Sequence, residues 1–269
     1  MYYEYVLIKG AGDLASGVAC TLHRAGYRII LTEIEQPTCV RRKVSFAEAV
    51  YSERITIEGV TGQRVSTWEN AQKLIKSGQI AVIVDPRQEI KQKFVPVVFL
   101  EATLAKRNNG TSKNDGEIVI ALGPGFEAGT DVHAVIETQK GETLGSVIYS
   151  GYAIADTGIP GDVLGYTSER VLRAPAAGEF RSILDIGDFV DANDIIGFVG
   201  NCPVRANIGG VVRGLLHSGL MVHKGMKIGD IFPQKNKAVC TLVSDKAWTV
   251  GKGVLQAIEE LKPSLLPTF

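Results

Sequence analysis

The chain has 269 residues, of which 45% are hydrophobic and 22% charged, as in ordinary globular proteins. Lysine plus arginine equals aspartate plus glutamate at 29 each, so no global basic field favours nucleic acid. No apolar run reaches the ~18 residues of a membrane span, and the first residues lack the pattern of a signal peptide. These totals predict a cytoplasmic protein with neither a membrane nor a nucleic-acid partner.

The first 33 residues follow the pattern of a strand, a helix and a second strand. Residues 5–10 form an apolar run that ends in glycine, which is typical of a buried parallel strand. Residues 14–25 carry apolar side chains at helical spacing and end before Gly26. Residues 28–33 are again apolar, so a compact βαβ unit is predicted.

The alternation continues through the first half of the chain. Residues 54–67 have the pattern of a hairpin, and residues 68–78 that of a helix closed by Gly78. Further strands are expected at 80–85, 95–100, 117–122, 132–137 and 144–149. This pattern predicts a mainly parallel sheet in a Rossmann-like α/β domain over residues 1–165.

The turn after the first strand resembles a dinucleotide-binding turn. Gly10, Gly12 and a third small residue, Ala15, fit the loose form of that fingerprint. The helix that follows offers free N–H groups to phosphate, and Glu33 ends the second strand where an acid can bond a ribose hydroxyl. Asp13 either opposes a pyrophosphate at this turn or caps the helix.

Two short segments add charged candidates. Arg41 and Arg42 suit a phosphate or carboxylate ligand, unless their segment is a solvated loop. Asp85 and Arg87 follow a predicted strand, where open α/β sheets collect ligands, although Asp-Pro also favours a turn.

The segment 104–138 combines cations with glycines. It contains Lys106 and Arg107, followed by Gly123 and Gly125 directly after an apolar strand. Such glycines form either a chain of tight turns or a backbone cradle for an anion. The sequence contains no zinc motif, no GxSxG and no GxxxxGK[ST], so no metal site is predicted.

The second half of the chain repeats itself at an offset of 32 residues. Residues 173–199 align without gaps on residues 205–231, with nine identical pairs in 27 positions, of which three are glycine pairs and two are arginine pairs. Each half has the pattern of short strands joined by glycine turns. This predicts an all-β domain over residues 166–240, followed by a helical segment over residues 241–269.

This repeat resembles the biotinyl/lipoyl domain, a flattened barrel-sandwich of two quasi-equivalent halves. In that family a hairpin between the halves presents a modified lysine. Here the link at residues 200–204, GNCPV, has no lysine but contains Cys202. Cys202 is either an exposed, reactive thiol or a buried structural cysteine.

Longer motifs resemble the selenium-dependent molybdenum hydroxylase accessory proteins, which are distantly similar to XdhC-type factors. They are GAGDLASGVA, QPxxVRRxVSFxEAV, AKRNNGT and ALGPGFEAGTDVHAVIET, with RAPAAGEF and GGVVRGLL in the second half. The resemblance implies a factor that helps to mature a molybdenum hydroxylase such as xanthine dehydrogenase, with that enzyme as its partner. Glu101 departs from the family pattern, which tends to have aspartate there.

The resemblance and the turn together predict a nucleotide or phosphate-bearing cofactor, either NAD(P) or a molybdopterin-type nucleotide. The alternatives are an NAD(P)-dependent oxidoreductase and a docking module without a nucleotide. The sequence leaves open whether the protein is an enzyme, and it allows a homo-oligomer.

Overall fold

A computed structural model describes residues 5–262. Its chain divides into two compact units. Within the described residues, unit 1 contains residues 5–37, 45–157 and 243–262, and unit 2 contains residues 38–44 and 158–242. Of the predicted C-terminal segment 241–269, residues 243–262 belong to unit 1, residues 241–242 belong to unit 2, and residues 263–269 lie outside the described residues.

Unit 1 is built on one nine-stranded sheet. Its strands are β1 (Tyr5–Lys9), β2 (Arg28–Glu33), β3 (Arg54–Ile57), β4 (Val60–Val65), β5 (Ile80–Val84), β6 (Val98–Glu101), β7 (Ile118–Leu122), β8 (Ala134–Ile136) and β9 (Val147–Ile148). They lie in the order β3-β4-β5-β2-β1-β6-β7-β8-β9. Neighbours are parallel except at the two edges, where β3–β4 and β8–β9 pair antiparallel.

Four α-helices accompany this sheet. They are α1 (Asp13–Arg24), the short α2 (Ala49–Ser52), α3 (Trp68–Lys76) and α4 (Asp245–Leu261). The predicted βαβ unit is present as β1, α1 and β2, with β1 and β2 parallel. The central strands are apolar on both faces: Val6, Leu7 and Ile8 are fully buried, as a covered parallel strand requires.

Unit 2 consists of two four-stranded antiparallel sheets. Its strands are β10 (Val171–Arg173), β11 (Gly178–Ser182), β12 (Phe189–Val190), β13 (Ile195–Val199), β14 (Cys202–Arg205), β15 (Gly210–Leu215), β16 (Met221–Val222) and β17 (Lys227–Phe232). The sheets have the orders β10-β17-β15-β12 and β14-β13-β11-β16.

The sequence repeat determines how these two sheets are composed. Shifting β10, β11, β12 and β13 by 32 residues places them on β14, β15, β16 and β17. The same exchange converts the strand order of one sheet into that of the other. The two sheets are therefore equivalent, and each contains strands from both halves of the repeat.

The predicted fold class, a Rossmann-like domain followed by a barrel-sandwich domain, is wrong. The first sheet is mixed, and its crossovers from β6 to β7 and from β7 to β8 contain no α-helix, whereas a Rossmann domain covers both faces with helices. The described strands of the second unit lie in two separate sheets. Apolar strand runs look alike in both architectures, so the prediction followed strand spacing and missed the helix-free crossovers.

Helices α1 and α4 pack at a small residue. A Cβ atom added to Gly17 of α1 would lie 2.6 Å from the Cβ of Ala247 and 3.0 Å from its backbone carbonyl carbon. The two helices therefore approach as closely as they do only because residue 17 has no side chain.

We expect Gly17→Ala to destabilise unit 1. Overpacking costs about 1–3 kcal/mol, and the better helix propensity of alanine returns at most about 1 kcal/mol. Urea unfolding followed by circular dichroism measures the net loss. Lys252→Ala, at an exposed position of α4, is the control, and equal stabilities of the two variants would contradict the close packing.

Candidate functional site

The turn between β1 and α1 is held by Glu33. Gly10 has a φ of +95°, which favours glycine. The backbone N–H of Ala11 donates to Glu33 Oε2 at 2.9 Å, and that of Ile34 donates to Oε1 at 2.8 Å. Burial raises the pKa of Glu33, and the two backbone donors oppose that shift. In this structure Glu33 therefore fixes the turn, because both of its carboxylate oxygens accept hydrogen bonds from backbone N–H groups of the protein.

Gly12 is the N-cap residue of α1 and has no side chain to cap it. A Cβ atom at Gly12 would meet no atom within 4 Å among its described surroundings. Asp13 begins the helix and places a negative charge in its first turn. The helix dipole favours negative charge there, from Asp13 or from a ligand.

Carboxylates that follow two other strands of the sheet accept backbone hydrogen bonds in the same manner. Asp85, directly after β5, accepts backbone hydrogen bonds from Glu89 and Ile90, each at 2.9 Å. Glu137, directly after β8, accepts from the backbone N–H of Gln139 at 2.7 Å and of Ile154 at 2.8 Å. Asp85 therefore caps a turn, and Arg87 beyond it is exposed.

A buried ion pair joins β1 to β6. Lys9 Nζ lies 2.7 Å from Glu101 Oε2, and Glu101 is fully buried. Glu101 also accepts from the hydroxyls of Thr103 at 2.6 Å and Thr111 at 2.9 Å. Lys9 donates in addition to Asn109 Oδ1 at 2.7 Å. This network fixes the loop after β6 beside the turn after β1.

Lys9, Asn109 and Thr111 were not predicted as site residues. The sequence signal for this network is that Lys9 ends one buried strand and Glu101 ends another. This signal does not identify the ion pair by itself, because the strand order decides whether the two strand ends are neighbours.

The loop after β6 also packs against the glycine segment that follows β7. A Cβ atom at Gly125 would lie 2.0 Å from the Ala105 carbonyl oxygen and 2.9 Å from the Arg107 backbone nitrogen. Gly123 has a φ of +81°. The predicted residues Lys106, Arg107, Gly123 and Gly125 are therefore brought together at the carboxyl edge of the sheet.

The two cations of this loop differ in their partners. Lys106 Nζ pairs with Asp156 at 2.5 Å. Arg107 is exposed, and its guanidinium has no hydrogen-bond or ion-pair partner within residues 5–262. Arg107 is thus available to a ligand.

Arg41 and Arg42 lie in unit 2, whereas the other predicted site residues lie in unit 1. Arg41 Nη2 donates to the carbonyl oxygens of Val239 at 3.3 Å and Leu242 at 2.9 Å. Arg42 donates through Nε to the Leu215 carbonyl at 2.7 Å and pairs with Asp185 at 2.8 Å. In the structure, these arginines attach residues 38–44 to β15 and to loops of unit 2.

The cysteines separate by exposure. Cys20 and Cys240 are buried, and burial raises the pKa of the Cys20 thiol to about 12. Cys202 is exposed at the start of β14. Across residues 5–262 there is no cluster of three or more His, Cys, Asp or Glu side chains that could hold a metal ion. The described helices include none long and apolar enough to cross a membrane.

No family model matches the chain. A curated relative, "Uncharacterized protein YqeB" of Escherichia coli (strain K12), is 48% identical over 256 residues, covering 95% of this chain and 47% of that protein. The chain therefore spans about half the length of the curated relative it matches.

Similar solved structures include an aspartoacylase family protein from Mesorhizobium loti. It is 12% identical and has a TM-score of 0.29, covering 86% of this chain and 85% of that one. A succinylglutamate desuccinylase/aspartoacylase from Rhodobacter sphaeroides is 17% identical with a TM-score of 0.24, covering 26% and 23%. At these TM-scores neither establishes a fold or an activity for this chain.

These comparisons contradict the predicted family and its function. The similar solved structures are named as aspartoacylase and desuccinylase proteins, and the name of the curated relative states no activity. The predicted membership among selenium-dependent molybdenum hydroxylase accessory proteins, and the maturation role drawn from it, are therefore wrong. The motifs that suggested them have structural uses: glycines form the turns at Gly10 and Gly125, and Arg41 and Arg42 anchor a segment. The partner enzyme and the homo-oligomer stay predictions.

We expect Lys9→Met to destabilise the protein by about 3–5 kcal/mol, because it leaves the buried Glu101 carboxylate without its cation. Adding Glu101→Gln should recover much of that loss, since a neutral amide needs no counter-charge. Urea unfolding of the two single variants and the double variant measures this coupling. Losses that simply add would show that the pair is not coupled.

The raised pKa of Glu33 predicts a pH-dependent effect of Glu33→Gln. Protonated Glu33 favours the folded state, and this contribution is lost as pH rises from about 4.3, the ordinary value, through the raised value. The variant lacks this titration. The stability of the wild type relative to Glu33→Gln should therefore decrease between pH 4 and pH 7 in urea unfolding. A pH-independent difference would contradict the assignment.

Proposed function

We propose that unit 1 binds a small anionic molecule at the carboxyl edge of its sheet, between the turn after β1 and the loop after β6. The observation that carries this proposal is the exposed guanidinium of Arg107, which has no acceptor within the described residues. Its backbone is fixed by the close approach to Gly125. A rigidly supported, unpaired arginine is suited to carboxylate or phosphate groups.

The strand order supports this position. From β1 the chain proceeds through α1 to β2 on one side, and it later returns to β6 on the other side of β1. Ligands of open α/β sheets bind outside the carboxyl ends of strands where the connections diverge in this way. Gly10 contributes by its small size, because a Cβ there would lie 3.3 Å from the Ala102 carbonyl carbon.

The first turn of α1 supplies a second attractive element. Its cap residue Gly12 provides no side-chain acceptor, so backbone N–H groups and the helix dipole favour an anion. Asp13 acts against a ligand of negative charge. The affinity of this edge for an anion therefore depends on the attraction by Arg107 and the repulsion by Asp13.

We expect Arg107→Met to weaken binding of inorganic phosphate or acetate by about 1.5–3 kcal/mol, the value of a charge-assisted hydrogen bond. Calorimetric titration at constant ionic strength measures it, and comparing the two anions identifies the preferred group. Arg54→Met, an exposed arginine on edge strand β3, is the matched control.

Asp13→Asn should have the opposite effect and strengthen binding of the same anions, because it removes a repelling charge. Equal affinities in the wild type and in Arg107→Met would remove Arg107 from the site. Absence of binding of both anions to the wild type would overturn the proposed function.

A further inference from the structure

Unit 2 contains two arginines on one buried aspartate. Asp230 of β17 is 1% exposed. Its Oδ2 accepts from Nε of Arg213 at 2.6 Å and also contacts Nη2 of that residue. Its Oδ1 accepts from Nη1 of Arg170. The three side chains together carry one excess positive charge.

Arg170 has no second anionic partner among the residues that the structure describes. The residue is 6% exposed, and its Nη2 donates to the carbonyl oxygen of Gly161 at 2.8 Å. Its Nε is buried and has no hydrogen-bond partner within residues 5–262. A carbonyl satisfies a donor but does not neutralise a charge, and an uncompensated buried charge is costly.

The surroundings of this triad are also cationic. Arg41, Lys43, Arg213 and Lys237 each act to lower the pKa of the Cys240 thiol, although burial outweighs them and raises it. All four charges therefore lie near one buried point of unit 2.

We propose that unit 2 binds a small oxyanion, a phosphate, sulfate or carboxylate group, at the guanidinium of Arg213. Asp230 takes Nε and Nη2, which leaves Nη1 for a ligand. The guanidinium carbon lies 5.7 Å from the centre of the Phe232 ring, and this contact fixes its plane. Arg213 is also the more accessible of the two arginines, with 16% of its side chain exposed against 8% for Arg170.

The repeat provides an internal comparison. Thirty-two residues before Arg213 lies Arg181, which is exposed and donates weakly to the Gly200 carbonyl at 3.4 Å. Phe198 stands at the position equivalent to Asp230, and Cys202 at that equivalent to Arg170. Only one of the two equivalent sheets therefore has the triad, so Arg181→Met is a matched control.

The test is calorimetric titration of the full chain with inorganic phosphate, sulfate and acetate at constant ionic strength. It is made in an Arg107→Met background, which removes the arginine of the unit 1 site. We expect this background to bind at least one of the three anions. Adding Arg213→Met should weaken that binding roughly ten- to hundredfold, and adding Arg181→Met should leave it unchanged.

Arg213→Met leaves Arg170 and Asp230 as a neutral pair, so the fold is expected to persist; circular dichroism verifies it. If Arg213→Met does not fold, Arg213→Lys takes its place in the test. Lysine keeps the positive charge but lacks the planar guanidinium fork, so this variant should bind the anion more weakly than the chain with Arg213. Absence of binding in the Arg107→Met background, or equal binding after Arg213→Met, overturns this inference. Binding that is lost on Arg107→Met alone would leave the proposed function of unit 1 standing.

Discussion

The carboxyl edge of the nine-stranded sheet depends on carboxylates that accept hydrogen bonds from loop backbone. Glu33, Asp85 and Glu137 each use both oxygens for backbone N–H groups that would otherwise lack partners. Glu101 uses Lys9 and two threonine hydroxyls as well. Because these acids are already satisfied by the protein, the recognition of a ligand at this edge falls to the groups left over, above all Arg107.

Local patterns in the sequence predicted the elements that local physics determines. The βαβ unit follows from a buried apolar run, helical spacing and a terminating Gly26. The repeat in the second half matches strand for strand, because identical glycines require the same turns. Gly187 and its counterpart Gly219 both have positive φ, at 105° and 90°, which only glycine adopts without strain.

Long-range pairings could not be predicted in this way. Arg41 and Arg42 looked like phosphate ligands, yet they donate to carbonyls between 173 and 201 residues further along the chain, and Arg42 also pairs with Asp185. A cation in a sequence shows that an acceptor is needed and not which acceptor is used. The predicted Rossmann-like fold class is wrong for a related reason. Apolar strand runs do not reveal whether the crossover between two strands contains an α-helix, and the chain passes from β6 to β7 without one.

A net charge of zero conceals two different electrostatic arrangements. In unit 1, carboxylates and cations both lie at one sheet edge, so the proposed anion would have to be held against the charge of Asp13. In unit 2, Asp230 faces two arginines, and further cations surround Cys240. The repeat shows that this excess is not a requirement of the strand architecture, since the equivalent sheet has Phe198 in place of Asp230, folds with the same strand order and leaves Arg181 in solvent. A charge that the fold does not need is better explained by something that it binds.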